Sequence, residues 1–379
     1  MDQHHGDPVA EQRAWEAGAG AAWLDGLAVL RVTGGDRLSW LNSLTTQRME
    51  SLRPGSSAET LVLDPNGRIE HALAVVDTGQ STYLVVPAGQ APDLMAFLTA
   101  MRFTLDVSVA NVSDEAAILA TPGAIPGVTA LGIPAPWTWD DPWPGVSDGG
   151  AAYGPVVGHP GARWRWRLAA VPHGARPHVA DTLRRMGVTP VGTWALEALR
   201  IAAWRPSGAA PGAVGALPHE LDWLRTAVHL NKGCYRGQET VAKVYNVGRP
   251  PRRLAMLHLD GSTLHLPAPG AALLVRGAES GGPVGTITSS GRHHVLGPIA
   301  LGLVARRVPP DVELVADGVP ARQEIIVPPS GFSAERPNTD GPAGLPGAGG
   351  GRGTLVGSRG RRGGAGPATG RRIGLTRGR

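Results

Sequence analysis

The chain has 379 residues, 42% of them hydrophobic, with 11 tryptophans and a formal charge of +5, which is enough apolar surface for two or three domains. No run of about 18 apolar residues occurs, which excludes a membrane-spanning helix; the single cysteine, Cys234, excludes an internal disulfide and any metal site built from several of its own thiolates. The charge is unevenly spread: from Gly331 onward nine arginines against Glu335 and Asp340 give +7, which leaves residues 1–330 at −2. The polar, acidic N-terminal stretch has neither the basic nor the apolar region of an export signal, so a cytoplasmic location is expected.

Residues 1–20 read as a flexible leader. Leu27–Val32 reads as a strand, followed by a turn at Thr33–Asp36 and a helix through Leu38, Leu41 and Leu44. Ala58–Leu63 and Ile69–Asp77 form a hairpin signal around the turn Asp64-Pro65-Asn66-Gly67. Tyr83–Pro87 continues the sheet, Ala91–Met101 is helical by its apolar spacing, and Leu105–Val112 and Ala117–Ala120 are further strands. Residues 121–165, rich in Pro, Gly, Trp and Asp, read as a loop-heavy connection in which Trp137, Trp139 and Trp143 are anchors.

A strand at Arg163–Val171 follows, then helices at Val179–Met186 and Gly192–Ala203 and a short helix at Leu221–Val228. After Gly248 the pattern changes to short alternating strands (Arg253–Leu259, Ala272–Val275, Pro283–Ser289, Ile299–Val304, Glu313–Val315, Ala321–Ile326), as in a small antiparallel barrel. Residues 330–379 are Gly/Arg-rich and read as a disordered tail, able to attract nucleic acid weakly by counterion release. Strands and helices mingle without a repeating β-α-β pattern, so the fold class expected is α+β.

The most informative stretch is Lys232-Gly-Cys-Tyr-Arg-Gly-Gln-Glu239. Only two of the 36 basic residues are lysines, Lys232 and Lys243, and one stands two residues before the only cysteine. Its ammonium would favour thiolate at Cys234, and Gly233 and Gly237 permit the positive φ that brings a backbone close to a ligand. The competing reading is a buried, inert cysteine in a tight turn. Gln238 and Glu239 add an amide and a carboxylate for a polar ligand. His4-His5 and His293-His294 read as solvated pairs whose rings point apart, so no metal site is expected.

This string resembles the signature of the YgfZ family, folate-binding proteins that assist iron–sulphur cluster assembly and are related to the glycine-cleavage T protein. Val32–Asp36 with Trp40–Thr46, the hairpin Leu63–Ile69, Leu199–Ile201 with Pro206, Leu217–Glu220, and Gly285–Ser290 are also similar to family segments, so the resemblance covers residues 21–329. It implies two intertwined α+β subdomains over 21–250 and a C-terminal antiparallel β-barrel over 251–329, together a ring with tetrahydrofolate in its central hole. It also implies iron–sulphur client proteins or cluster carriers as partners. By position it implies Cys234 and Lys232 as the working pair, with Leu27, Leu196, Glu197, Arg200, Tyr235, Gln238 and Glu239 around the folate.

Three departures qualify the expected activity. Ala202 stands where relatives carry a pterin-binding carboxylate, leaving Glu197 as the substitute one helical turn earlier. Glu70-His71 and Pro87 stand where the T protein has an Asp pair and an Asn. Aminomethyl transfer needs a carboxylate to handle a proton on the ring nitrogen or amine. The expectation is therefore a folate-binding accessory protein, and the alternative is a folate-dependent aminomethyltransferase or demethylase.

Overall fold

The computed structural model describes residues 2–124 and 136–336, apart from the side chain of Glu279. Asp7 and Pro8 start helix α1 (Pro8–Glu16): the Asp7 carboxylate accepts the amides of Val9 and Ala10, and proline occupies the first turn. This corrects the expected flexible leader. Glu11, Gln12 and Trp15 are buried, with Glu11 accepting the Gly192 amide at 2.9 Å and Gln12 donating to the Arg292 carbonyl at 2.9 Å. The polar residues of this segment are spent on distant backbone rather than on water, which a local reading of polarity misses.

The chain then visits two sheets in turn. After β1 (Gly20–Trp23) come β2 (Leu27–Thr33), α2 (Arg37–Leu44), β3 (Ser57–Leu63), β4 (Ile69–Asp77), β5 (Ser81–Pro87), α3 (Ala91–Ala100) and β6 (Ser108–Asn111). Next are β7 (Ala116–Thr121), β8 (Thr138–Asp140), β9 (Arg167–Pro172), α4 (Arg176–Arg185), β10 (Thr189–Pro190) and α5 (Thr193–Ala202). One sheet has the order β3-β4-β5-β2-β6 and the other β10-β1-β7-β9-β8. Because β1 belongs to the second sheet and β2–β6 to the first, the two α+β units are interleaved along the chain.

Period-two alternation assigns the faces. On β2, Leu30 and Val32 pack with Trp40 and Leu41 of α2 and Leu94 and Leu98 of α3. Val29 points the other way, into a larger core with Leu61, Val85, Trp139, Trp143, Trp164 and Trp223. Trp137, Trp139 and Trp143 are buried, as the anchoring reading required; residues 125–135 of that connection lie outside the described residues.

Short helices α6 (Leu224–Ala227) and α7 (Gln238–Asn246) lead to β11 (Arg252–Leu259), β12 (Ala272–Val275), β13 (Gly285–His293), β14 (Gly297–Ala305), β15 (Leu314–Ala316) and β16 (Val319–Ile325). These close a barrel in the order β11-β14-β13-β12-β15-β16. Ala255 and Leu257 of β11 face the barrel core, whereas Leu254 and Met256 face the large core. The start of the expected tail is packed: Phe332 lies under the guanidiniums of Arg249 and Arg336, and Ser333 donates to the Ala152 carbonyl at 2.7 Å. Residues 337–379 lie outside the described residues.

Candidate functional site

A cavity of about 410 Å³ opens between the two sheets and helix α5. Leu27 from β2 and Leu196, Glu197 and Arg200 from α5 all line it, with Ala72 and Ala74 of β4 and Val85 of β5. Four indoles, Trp139, Trp164, Trp166 and Trp223, complete its walls, and Trp164 and Trp166 stack with centroids 5.3 Å apart and planes 8° from parallel. The spacing of Glu197 and Arg200 puts both on one face of α5. Arg200 grips the Glu197 carboxylate with bonds of 2.9 and 2.5 Å and reaches Ser289 of the barrel at 2.5 Å. Burial pushes the Glu197 pKa up, but the charge and hydrogen bonds of Arg200 and a bond from Ser289 hold it below the usual value. The carboxylate is therefore anionic, partnered and facing the cavity.

Beside it lies a buried charge cluster. Arg205 bonds Glu59, donates to Asp141 at 3.0 Å and stacks over Trp143 and Trp223. Trp223 donates to Glu59 at 3.0 Å, Thr226 to Glu59 at 2.5 Å and Trp164 to Asp141 at 2.9 Å. Arg205, Glu59 and Asp141 all line the cavity, and Arg205 Nη1 is buried without an acceptor among the described residues. Desolvation raises the Glu59 pKa against the pull of Arg205. No sequence signal pointed to this cluster, since positions 59, 141 and 205 share no local pattern.

The Cys234 loop approaches from another side. Cys234 is exposed, and neither it nor Lys232, Tyr235, Gln238 or Glu239 lines the cavity. Lys232 Nζ donates to the carbonyls of Asn42, Thr45 and Gln47 at 2.5, 2.6 and 2.9 Å. Burial and the nearby Arg48 charge lower its pKa to about 8, so at neutral pH it is mainly an ammonium whose three protons are all committed. Lys232 is thus a latch on the loop after α2, with no proton left for the thiol. Tyr235 is buried under it, with Lys232 Nζ 5.2 Å from its ring centroid.

Gln238 makes a 3.4 Å bond to the Lys232 carbonyl, and Glu239 is exposed at the start of α7. Arg236 pairs bidentately with Glu70 at 3.0 and 3.0 Å. Of the two flanking glycines, Gly237 has φ +82° and Gly233 has no positive φ. A Cβ at Gly237 would stand 2.6 Å from the Asp64 carbonyl oxygen and 2.9 Å from Gly67 Cα. That close approach ties the loop to the β3–β4 hairpin, where the Asp64 side chain accepts the amides of Asn66 and Arg68 at 2.8 Å each. Gly237→Ala should therefore cost about 3 kcal/mol through strain and clash, read as a lowered midpoint in urea; a loss under about 1 kcal/mol would contradict this packing.

Trp194 is half exposed against His4, and Trp204 lines a second cavity, so neither borders the 410 Å³ space. His293 and His294 are not solvated: their side chains are 8% and 9% exposed and both face Glu16. Strand alternation ends at the β13–β14 turn, and there the two rings converge.

Residues 3–125 match the GCVT N-terminal domain family. The chain is 28% identical to a putative chloroplastic transferase of Arabidopsis thaliana, over 73% of this chain and 63% of that protein. It is 27% identical to an aminomethyltransferase of Herpetosiphon aurantiacus, over 67% of this chain and 70% of that one. The chain thus spans less than two thirds of the plant relative's length. Its fold superposes with a TM-score of 0.65 on the glycine cleavage system aminomethyltransferase T from Bartonella henselae, at 20% identity, covering 85% of this chain and 89% of that one. A match to that domain in its first third and that architecture over most of its length give the chain a GcvT-like fold.

Proposed function

We propose that this protein binds a tetrahydrofolate in the 410 Å³ cavity and serves as a cytoplasmic accessory factor for assembly or repair of iron–sulphur proteins, with Cys234 as its working thiol. The observation that carries the folate reading is the convergence of Leu27, Leu196, Glu197 and Arg200 on one aromatic-walled cavity. Its volume lies within the roughly 300–1,000 Å³ usual for ligand pockets. The Glu197 carboxylate can accept the paired N–H groups of an aminopyrimidinone edge, which replaces the carboxylate missing at Ala202. Arg205 adds a fixed positive charge to the cavity wall, and the indole faces suit a flat heterocycle. Bound folate would supply a one-carbon carrier beside these groups.

Aminomethyl transfer is less well supported. Glu70 is held by Arg236; His71 is buried, which lowers its pKa; and neither lines the cavity. The exposed Cys234 supports contact with a partner. One thiolate cannot hold a cluster that takes four ligands, so the contact is transient or shared with a client. Lys232 supports that role by fixing the loop. Strand β4 separates and joins the two regions: Glu70 meets the Cys234 loop, while Ala72 and Ala74 wall the cavity. Cys234→Ala should fold normally yet fail to restore cluster-enzyme activity in cells lacking the factor; full restoration would overturn the thiol's role.

A further inference from the structure

Glu16 ends α1, His293 ends β13 and His294 follows it, yet the three offer ligand atoms within 4.8 Å of one another. Glu16 Oε2 lies 2.7 Å from His294 Nε2, and Oε1 lies 3.9 Å from His293 Nε2. The second distance is too long for a hydrogen bond. Tetrahedral metal–ligand bonds of about 2.0–2.1 Å set co-ligand atoms roughly 3.4 Å apart, so the 2.7 and 3.9 Å separations bracket that spacing and small side-chain shifts would reach it. The imidazoles stand 4.7 Å apart at 39° and are almost buried. Gln12 fixes the backbone around them, accepting the His294 amide at 2.9 Å and donating to the Arg292 carbonyl at 2.9 Å.

The site opens on a second cavity, of about 610 Å³, walled in part by Arg163, Trp204 and Met256. We propose that Glu16, His293 and His294 form a site for a divalent first-row transition metal, with the remaining coordination position facing this cavity. Two imidazoles and one carboxylate suit zinc and its neighbours rather than magnesium or calcium. The ring nitrogen opposite the metal is set by its own hydrogen bonds. His293 Nδ1 now accepts the amides of Val295 and Leu296 at 3.2 Å each. Ligation through Nε2 puts the ring proton on Nδ1, and those two amides, in an exposed turn, pass to water.

The test is Zn²⁺ titration of the chelator-treated full chain by calorimetry. One equivalent should bind at micromolar or lower concentration, remain when Cys234, His4 and His5 are all replaced by Ala, and weaken at least 100-fold in His293→Ala/His294→Ala and in Glu16→Gln. No binding, or one equivalent kept by the histidine variant, overturns the proposal. If that variant does not fold, the copper(II)-loaded wild type decides. Its pulsed EPR must show two imidazole ligands, and any spectrum with fewer overturns the site.

Discussion

Replacing Arg205 with Met is expected to lower the unfolding free energy by about 3–5 kcal/mol, because it strands charge in the interior. Glu59 and Asp141 are both buried and both depend on this guanidinium. Trp223, Thr226 and Trp164 supply hydrogen bonds but no positive charge. Glu59→Gln should cost much less, since the amide oxygen still accepts from Trp223 or Thr226, and the Glu59 pKa is already raised by desolvation. Denaturant unfolding of the two variants checks this. A loss below about 1 kcal/mol for Arg205→Met would mean that the cluster is hydrated and does not brace the cavity wall.

Acidification from pH 7 to 5 is expected to remove about 4 kcal/mol through two buried histidines, about 2 kcal/mol each. Burial holds His159 at about 3 and His219 at about 4, against an ordinary 6.5. His159 is wedged edge-on against Trp143 and Trp204, and its Nδ1 accepts the Gly161 amide at 2.9 Å. The Nε2 atom of His219 meets the Val241 carbonyl at 3.1 Å. Both are neutral in the fold and take up protons only on unfolding. Their contribution is complete above pH 6.5 and is lost as pH falls toward 4 and 3.

Glu59 and Asp222, whose pKa values are raised by desolvation, work in the opposite sense. The histidine share is therefore read as the difference between wild type and His159→Gln/His219→Gln at each pH. That difference should change with a slope approaching two protons between pH 6 and 5. A difference independent of pH would contradict the burial of neutral rings.

What the sequence displayed was periodic or local. The barrel strands alternate, and β12 spans the same residues as expected, Ala272–Val275. The apolar stripe of α5 carries Leu196 and Leu199 inward and, three residues apart, Glu197 and Arg200. Those signals sufficed for the fold and for one wall of the cavity. The rest depends on contacts between distant positions. Helix α1 is polar because its side chains serve backbone more than 150 residues away. The Lys232 latch needs carbonyls of residues 42–47, which place a lysine that reads as a cysteine activator in a structural task. Helix α7 begins inside what reads as a loop because Gly237 turns the chain against Gly67.

Tetrahydrofolate binding, followed by quenching of the indoles that wall the 410 Å³ cavity, decides whether this cavity is a folate site. Wild type should bind one equivalent saturably, Glu197→Ala at least tenfold more weakly, and Cys234→Ala as wild type does. No saturable response at millimolar ligand, or equal affinity in Glu197→Ala, would contradict it.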